Sequence, residues 1–174
     1  MTMLIPVLLA LVIGPAWQGT EPTIEMLRAK AQERMRQDLA IYSQQDLKAL
    51  EELYQSANRD LKSPEAKGIL EQVVSKYPNS NRAGSAILYL AQMSSGPERE
   101  GYLKKAIQEH GDTWYGDGVQ VGAFARAQLA VFYGVQGRTV EGQALAKEVV
   151  EKFPGAVDHS GRPLVEILRK MKLL

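Results

Sequence analysis

The chain has 174 residues, 45% of them hydrophobic, and its 21 basic and 20 acidic side chains leave a formal charge of +1. That length and apolar content suit one domain with a sizeable core, and the balanced charge excludes both a basic face for sequence-independent nucleic-acid binding and an acidic disordered tail. With no cysteine, disulfides, thiolate zinc sites, iron–sulfur ligation and a lipid-modified cysteine are excluded as well.

Met3 to Ile13 is almost wholly apolar and runs into Gly14-Pro15-Ala16-Trp17. An apolar run of about 7–15 residues ending in small residues predicts a secretory signal peptide. Here it covers residues 1–16, with the cut at Ala16/Trp17, although no Lys or Arg precedes the run. An uncleaved membrane anchor through residues 1–16 and a buried N-terminal helix are the alternative readings. A span needs about 20 apolar residues, and Pro6 and Pro15 interrupt this one. Residues 17–22 read as a linker, and 23–174 as a single helical domain.

From about residue 22 to 41, Ile24, Leu27, Ala31, Met35 and Leu39 mark a narrow apolar stripe with charges elsewhere. Beyond it the apolar positions recur in steps of three and four, which line one face of an α-helix; a strand would alternate. Leu50, Leu53, Tyr54 and Ala57 define one helix, and Ala66, Ile69, Leu70, Val73, Val74 and Tyr77 the next. Ala83, Ala86, Ile87 and Leu90 are followed by Tyr102, Leu103, Ala106, Ile107 and His110, with Arg99 breaking the stripe. Arg126, Leu129, Ala130 and Tyr133 are followed by Gly142, Leu145, Ala146, Val149, Val150 and Phe153. Ser63-Pro64-Glu65 supplies an N-cap, a proline at the first helical position and an acid in the first turn. Gly96-Pro97-Glu98 repeats that arrangement, and Thr139-Val140-Glu141 predicts a start with a capping hydroxyl. Pro78 and Pro154 stop their helices. The tail from 162 to 172 places Leu164, Ile167, Leu168 and Met171 on one face, with Arg169, Lys170 and Lys172 at the end that favours cations.

The second helices are copies. Glu71-Gln72-Val73-Val74-Ser75-Lys76-Tyr77-Pro78 returns as Lys147-Glu148-Val149-Val150-Glu151-Lys152-Phe153-Pro154, and Lys104 to Gly111 is a weaker middle copy. Nine residues separate the last inward position of each first helix from the first inward position of its partner (57 to 66, 90 to 99, 133 to 142). Constant spacing within units and variable spacing between them predicts duplicated helical hairpins at about 47–79, 80–112 and 123–156.

The third unit, Ala125 to Gly137 closing at Phe153-Pro154, resembles a tetratricopeptide repeat. Leu129, Ala130, Tyr133, Gly137, Val149 and Pro154 match the family's residue types and spacing, and Gly142 stands where a small residue lets the two helices approach. Leu53, Ala66, Leu70, Val73 and Pro78 match in the first unit. The middle unit departs, with Arg99 for the small residue and Gly111 for the proline. The resemblance covers about residues 47–156, at a family period of about 34 residues. It implies an all-α fold, a right-handed α–α superhelix of about three hairpins with flanking N- and C-terminal helices, the tail capping the stack. It is also similar to repeat proteins of the bacterial cell envelope.

No catalytic, cofactor or metal constellation is present: neither His110 nor His159 sits in a HExxH pattern, and no P-loop or dinucleotide fingerprint occurs. His110 occupies the slot of Tyr77 and Phe153, which predicts a packed histidine. Asp112 and Asp117 offer too few ligands for calcium. The segment Gly111 to Gly118 accounts for most of the ten-residue excess of the second interval, 43 positions against 33. Its Trp114 and Tyr115 are candidates for anchoring a partner; alternatively, Trp114 folds back over the gap between units. The resemblance places Phe124, Ala127, Val131 and Val135 on the inner surface, in a groove suited to a helix or an apolar peptide, unless the first or last helix fills it. The expected function is an exported protein- or peptide-binding scaffold of a periplasmic or secreted envelope complex. The alternative is a structural subunit of a membrane-associated oligomer anchored by residues 1–16.

Overall fold

The computed structural model describes residues 22–174. The signal segment expected at 1–16 and the linker up to residue 21 lie outside the described residues. All the regular elements described are helical: α1 (Ile24–Gln37), a 3-10 turn (Asp38–Ala40), α2 (Gln44–Asn58), α3 (Pro64–Lys76), α4 (Asn81–Met93), α5 (Gly96–Glu109), α6 (Val121–Val135), α7 (Thr139–Lys152) and α8 (Leu164–Lys170).

Side-chain caps set the starts of the first four helices, α1 to α4. The Ser43 hydroxyl accepts the Asp46 amide at 3.1 Å while the Asp46 carboxylate accepts the Ser43 amide, a reciprocal box at the head of α2. Ser63 and Ser80 cap α3 and α4 through the amides of Ala66 and Ala83. Two starts differ from the sequence reading. Thr139 is the first residue of α7 and does not cap it; the cap position falls on Arg138, whose guanidinium pairs instead with Glu141 at 2.8 Å. Ser95, not Gly96, caps α5 and makes no side-chain cap bond, with Gly96 at a φ of +53°.

The internal repeat is visible in the backbone. Tyr77, His110 and Phe153 are the C-cap residues of α3, α5 and α7, with φ of −130°, −131° and −137°. Each donates its amide to the carbonyl four residues earlier: Val73, Ala106 and Val149. Consecutive helices from α2 to α8 pack on one another, and α2, α4, α6 and α8 also touch in series. The core follows suit. Leu50, Tyr54, Leu70, Val73 and Leu90 join α2, α3 and α4. Ile87, Leu88, Leu103, Ala125 and Leu129 join α4, α5 and α6. Ala130, Ala146, Val149, Leu164 and Leu168 join α6, α7 and α8. Each hairpin therefore completes its core with the first helix of the next, as stacked repeats must.

At the C-terminus the helix is shorter than 162–172. It ends at Lys170, and Lys172 adopts a φ of +57° that turns the chain back. Leu173 is thereby buried, its side chain near Gly134 and Gly142, while Met171, expected on the inward stripe, is 43% exposed.

The first helix does not lie in a groove between hairpins. It crosses one end of the stack, over the connections that leave α3, α5 and α7. Arg34 reaches Asp112 at 3.0 Å and the Asn79 carbonyl at 3.3 Å. The carboxylate of Asp38, itself buried, accepts the amide of Asn81 at 2.9 Å, at the positive end of α4, and pairs with Arg34 at 2.8 Å. Leu27 packs under Gly118, and Pro22 under Gly155. Leu39, predicted on the inward stripe, falls in the 3-10 turn and is exposed.

Candidate functional site

Four of the residues placed by sequence on one inner surface, Phe124, Ala127, Val131 and Val135, come together along α6. With Phe132 and Gln128, also on α6, they face Leu164 and Ile167 of α8 and Arg99 of α5 across an open cleft of about 260 Å³. Steps of three and four residues along α6 put these side chains on one stripe. The last helix thus supplies one wall of the groove and leaves it open. Ala127 is buried at its floor, Phe124 and Val131 are half-buried, and Val135 is 76% exposed at the rim.

Two polar groups reach this apolar site. The Nε of Arg99 and the Nε2 of Gln128 are buried and have no hydrogen-bond partner among the described residues. The guanidinium of Arg99 stands 5.9 Å from the centre of the Phe132 ring. Leu164 and Ile167 were legible as the inward stripe of the tail, and Arg99 as the break in the middle unit. Gln128 and Phe132 carry no signal in the sequence alone, because their role depends on α8 arriving beside them.

Trp114 and Tyr115 lie elsewhere and have different fates. Tyr115 is not a surface anchor: it is 5% exposed, donates its hydroxyl to the Ser85 carbonyl at 3.2 Å, and meets Tyr89 edge-on at 5.8 Å. Burial pushes that hydroxyl well above the usual tyrosine range. The cause is the loop itself. The Tyr115 amide donates to the Val119 carbonyl and the Val121 amide to the Thr113 carbonyl, closing a tight hairpin with Gly118 at a φ of +98°. Asn81, fully buried, fastens it: its side chain donates to the Trp114 carbonyl at 2.6 Å and accepts the Trp114 amide at 2.8 Å. Trp114 remains half-buried beside Lys30 and Gln120.

The same hairpin occurs before α8. Leu164 donates to the Ala156 carbonyl, Asp158 to the Arg162 carbonyl, and Gly161 takes a φ of +79°. The two segments share little beyond that glycine, so sequence reading missed the second. They stack: the ring of His159 meets Tyr115 edge-on at 4.6 Å and Phe124 at 5.2 Å, and its Nδ1 lies 2.8 Å from the Asp117 carboxylate. Asp117 and Asp112 are thus both paired with side chains, the latter with Arg34. The buried Asp158 carboxylate pins the second hairpin. Burial alone would raise it, but bonds from the Ser160 hydroxyl, the Arg162 amide and guanidinium and the Ser160 amide outweigh that and hold it at about 2.

His110 is packed at the end of α5, 4% exposed, where its carbonyl accepts both the amide and the hydroxyl of Thr113. Burial lowers the imidazole below its ordinary value, against the pull of Glu109. A histidine lowered on folding is neutral in the native state and takes up a proton on unfolding. Its contribution is intact above the unfolded value of about 6.5 and is lost as pH falls below it. The variant His110→Phe, which copies Phe153, is expected to lose less thermal stability than the parent between pH 7.5 and pH 5.5. Equal losses in both proteins would contradict the burial.

A scan against models of protein families, a search of curated proteins and a search of solved structures each give no match.

Proposed function

We propose that this protein is a tetratricopeptide-like scaffold, a right-handed superhelix of hairpins, that binds an apolar segment of a partner protein in the cleft between α6 and α8. The observation that carries the reading is the cleft itself, apolar on both walls and open to solvent, with Phe124, Val131 and Val135 in reach. Exposed apolar surface of this kind suits an interaction site. The serial packing of hairpins supports the superhelical scaffold. The polar groups of the cleft, a guanidinium and a carboxamide, form no nucleophile or acid–base pair suited to neutral pH, which supports binding over catalysis. The apolar run from Met3 to Ile13 supports export, and hence work in an envelope complex.

The test is capture of the partner from native cells by the full chain. Val131→Asp and Val135→Asp place a carboxylate in and beside the cleft. Val135→Asp is expected to leave the melting curve within about 0.5 kcal/mol of the parent, since the side chain is exposed. Both variants are expected to lose the partner in a pull-down. Undiminished capture by both would sink the cleft as the binding surface.

A further inference from the structure

At one equivalent position the three hairpins carry residues of different character. Eleven residues before the C-caps Tyr77, Phe153 and His110 stand Ala66, Gly142 and Arg99. Ala66 is fully buried, and a Cβ on Gly142 would come within 2.8 Å of the Ala130 carbonyl oxygen. The slot in α3 and α7 is thus closed by a neighbouring helix. In α5 it holds a guanidinium, directed into the cleft beside α6 and α8.

That guanidinium has no carboxylate partner among the described residues, whereas Arg82 pairs with Glu51, Arg126 with Glu148, and Arg138 with Glu100. The acids nearest in sequence are already engaged. Glu98 pairs with Lys67, and Glu100 with Lys104 and Arg138. An arginine stays charged at any relevant pH, and a partly desolvated charge is unfavourable until it is paired. Gln128 adds an unpartnered amide donor to the same cleft. The site therefore presents donors, one positive charge and no acidic side chain, set in apolar walls.

Resting on the scaffold reading above, we propose that the partner segment is a helix bearing apolar side chains and one acidic residue, whose carboxylate accepts hydrogen bonds from Arg99 and Gln128. Charge complementarity selects it. A single carboxylate neutralises the lone guanidinium, matches its fork geometry and satisfies the amide. A phosphate would bring excess negative charge into apolar surroundings, and a cationic segment would meet Arg99 with like charge. The apolar walls take side chains spaced three and four residues apart on such a helix.

The probe is a set of alanine-based helical peptides with leucines at i, i+3 and i+7. The flanking turn of the same face carries Glu, Gln or Lys at scanned positions. Binding to the full chain is read by fluorescence anisotropy. The best Glu peptide is expected to bind at least about tenfold tighter than its Gln counterpart, with the Lys counterpart weakest, and the preference should shrink in high salt. Arg99→Met is expected to bring the Glu peptide to the Gln level while the Gln peptide is unchanged. Equal binding of the Glu and Gln peptides, or a Glu preference that survives in a folded Arg99→Met, overturns the carboxylate inference and leaves apolar docking standing. Should Arg99→Met fail to fold, the comparison of the three peptides on the parent chain still decides. Failure of every peptide to bind, or saturable binding of decanoate alone, overturns both the inference and the scaffold reading beneath it.

Discussion

Leu70→Ala and Leu129→Ala are each expected to destabilise the fold by about 2–5 kcal/mol, measured as the shift in denaturant midpoint. Leu70 is fully enclosed between α2, α3 and α4, and Leu129 is 2% exposed between α4, α5 and α6. Truncation leaves a cavity in each case, because helices on both sides are held by their own hairpins and close the gap only in part. Leu39→Ala is the control. Leu39 sits on the apolar stripe suggested by spacing, yet it is 57% exposed, so its truncation is expected to stay within about 0.5 kcal/mol of the parent. Near-neutral melts for Leu70→Ala and Leu129→Ala would contradict the packing; a large loss for Leu39→Ala would contradict the placement of the 3-10 turn.

Asp38→Ala is expected to cost about 2–4 kcal/mol, the scale set by charge-assisted hydrogen bonds lost from a buried carboxylate. That carboxylate performs two tasks from inside the protein. It accepts the Asn81 amide at the head of α4, and it neutralises Arg34. Its removal leaves the amide unsatisfied and Arg34 with only the exposed Asp112 and a carbonyl. Asp38 thereby ties α1 to the end of the stack, and Asn81, one residue past the Ser80 cap, ties the Trp114 loop to the same place. Thermal unfolding of Asp38→Ala should fall well below the parent, and exposed Glu33→Ala, whose ion pair with Arg36 is on the surface, should not. Equal melting of the two variants would show that the strap contributes nothing.

The hairpins were legible because helical burial repeats every three to four residues and leaves that period in the chain. Leu50, Tyr54, Ala57, Ala66, Leu70 and Val73 are buried where spacing put them. The stripe failed at the ends of α1 and α8, and within α7 Val150, expected inward, is 37% exposed. Leu39 passes into a 3-10 turn and points out, and Met171 gives way to Leu173 once Lys172 reverses the chain. The cleft was half legible. Phe124, Ala127, Val131 and Val135 share a stripe of α6, and that is a local property. Trp114 and Tyr115 read as an aromatic pair on a long loop, but a hairpin folds the loop back and sends Tyr115 inward against Ser85 and Tyr89.

Sequence alone determined the helical class, the hairpin period and most of the inward faces, since each depends on residues within a few turns of one another. Tertiary structure decided the rest: that α1 straps the loop ends, that two unlike segments form the same hairpin, and that Arg99 enters a cleft with no acid to meet it. The strap joins partners far apart in the chain, Arg34 with Asp112 across 78 residues and Asp38 with Asn81 across 43, and the cleft exists only where α5, α6 and α8 meet. A side chain carries its own polarity wherever it goes, but its partner is chosen only when the helices have been stacked.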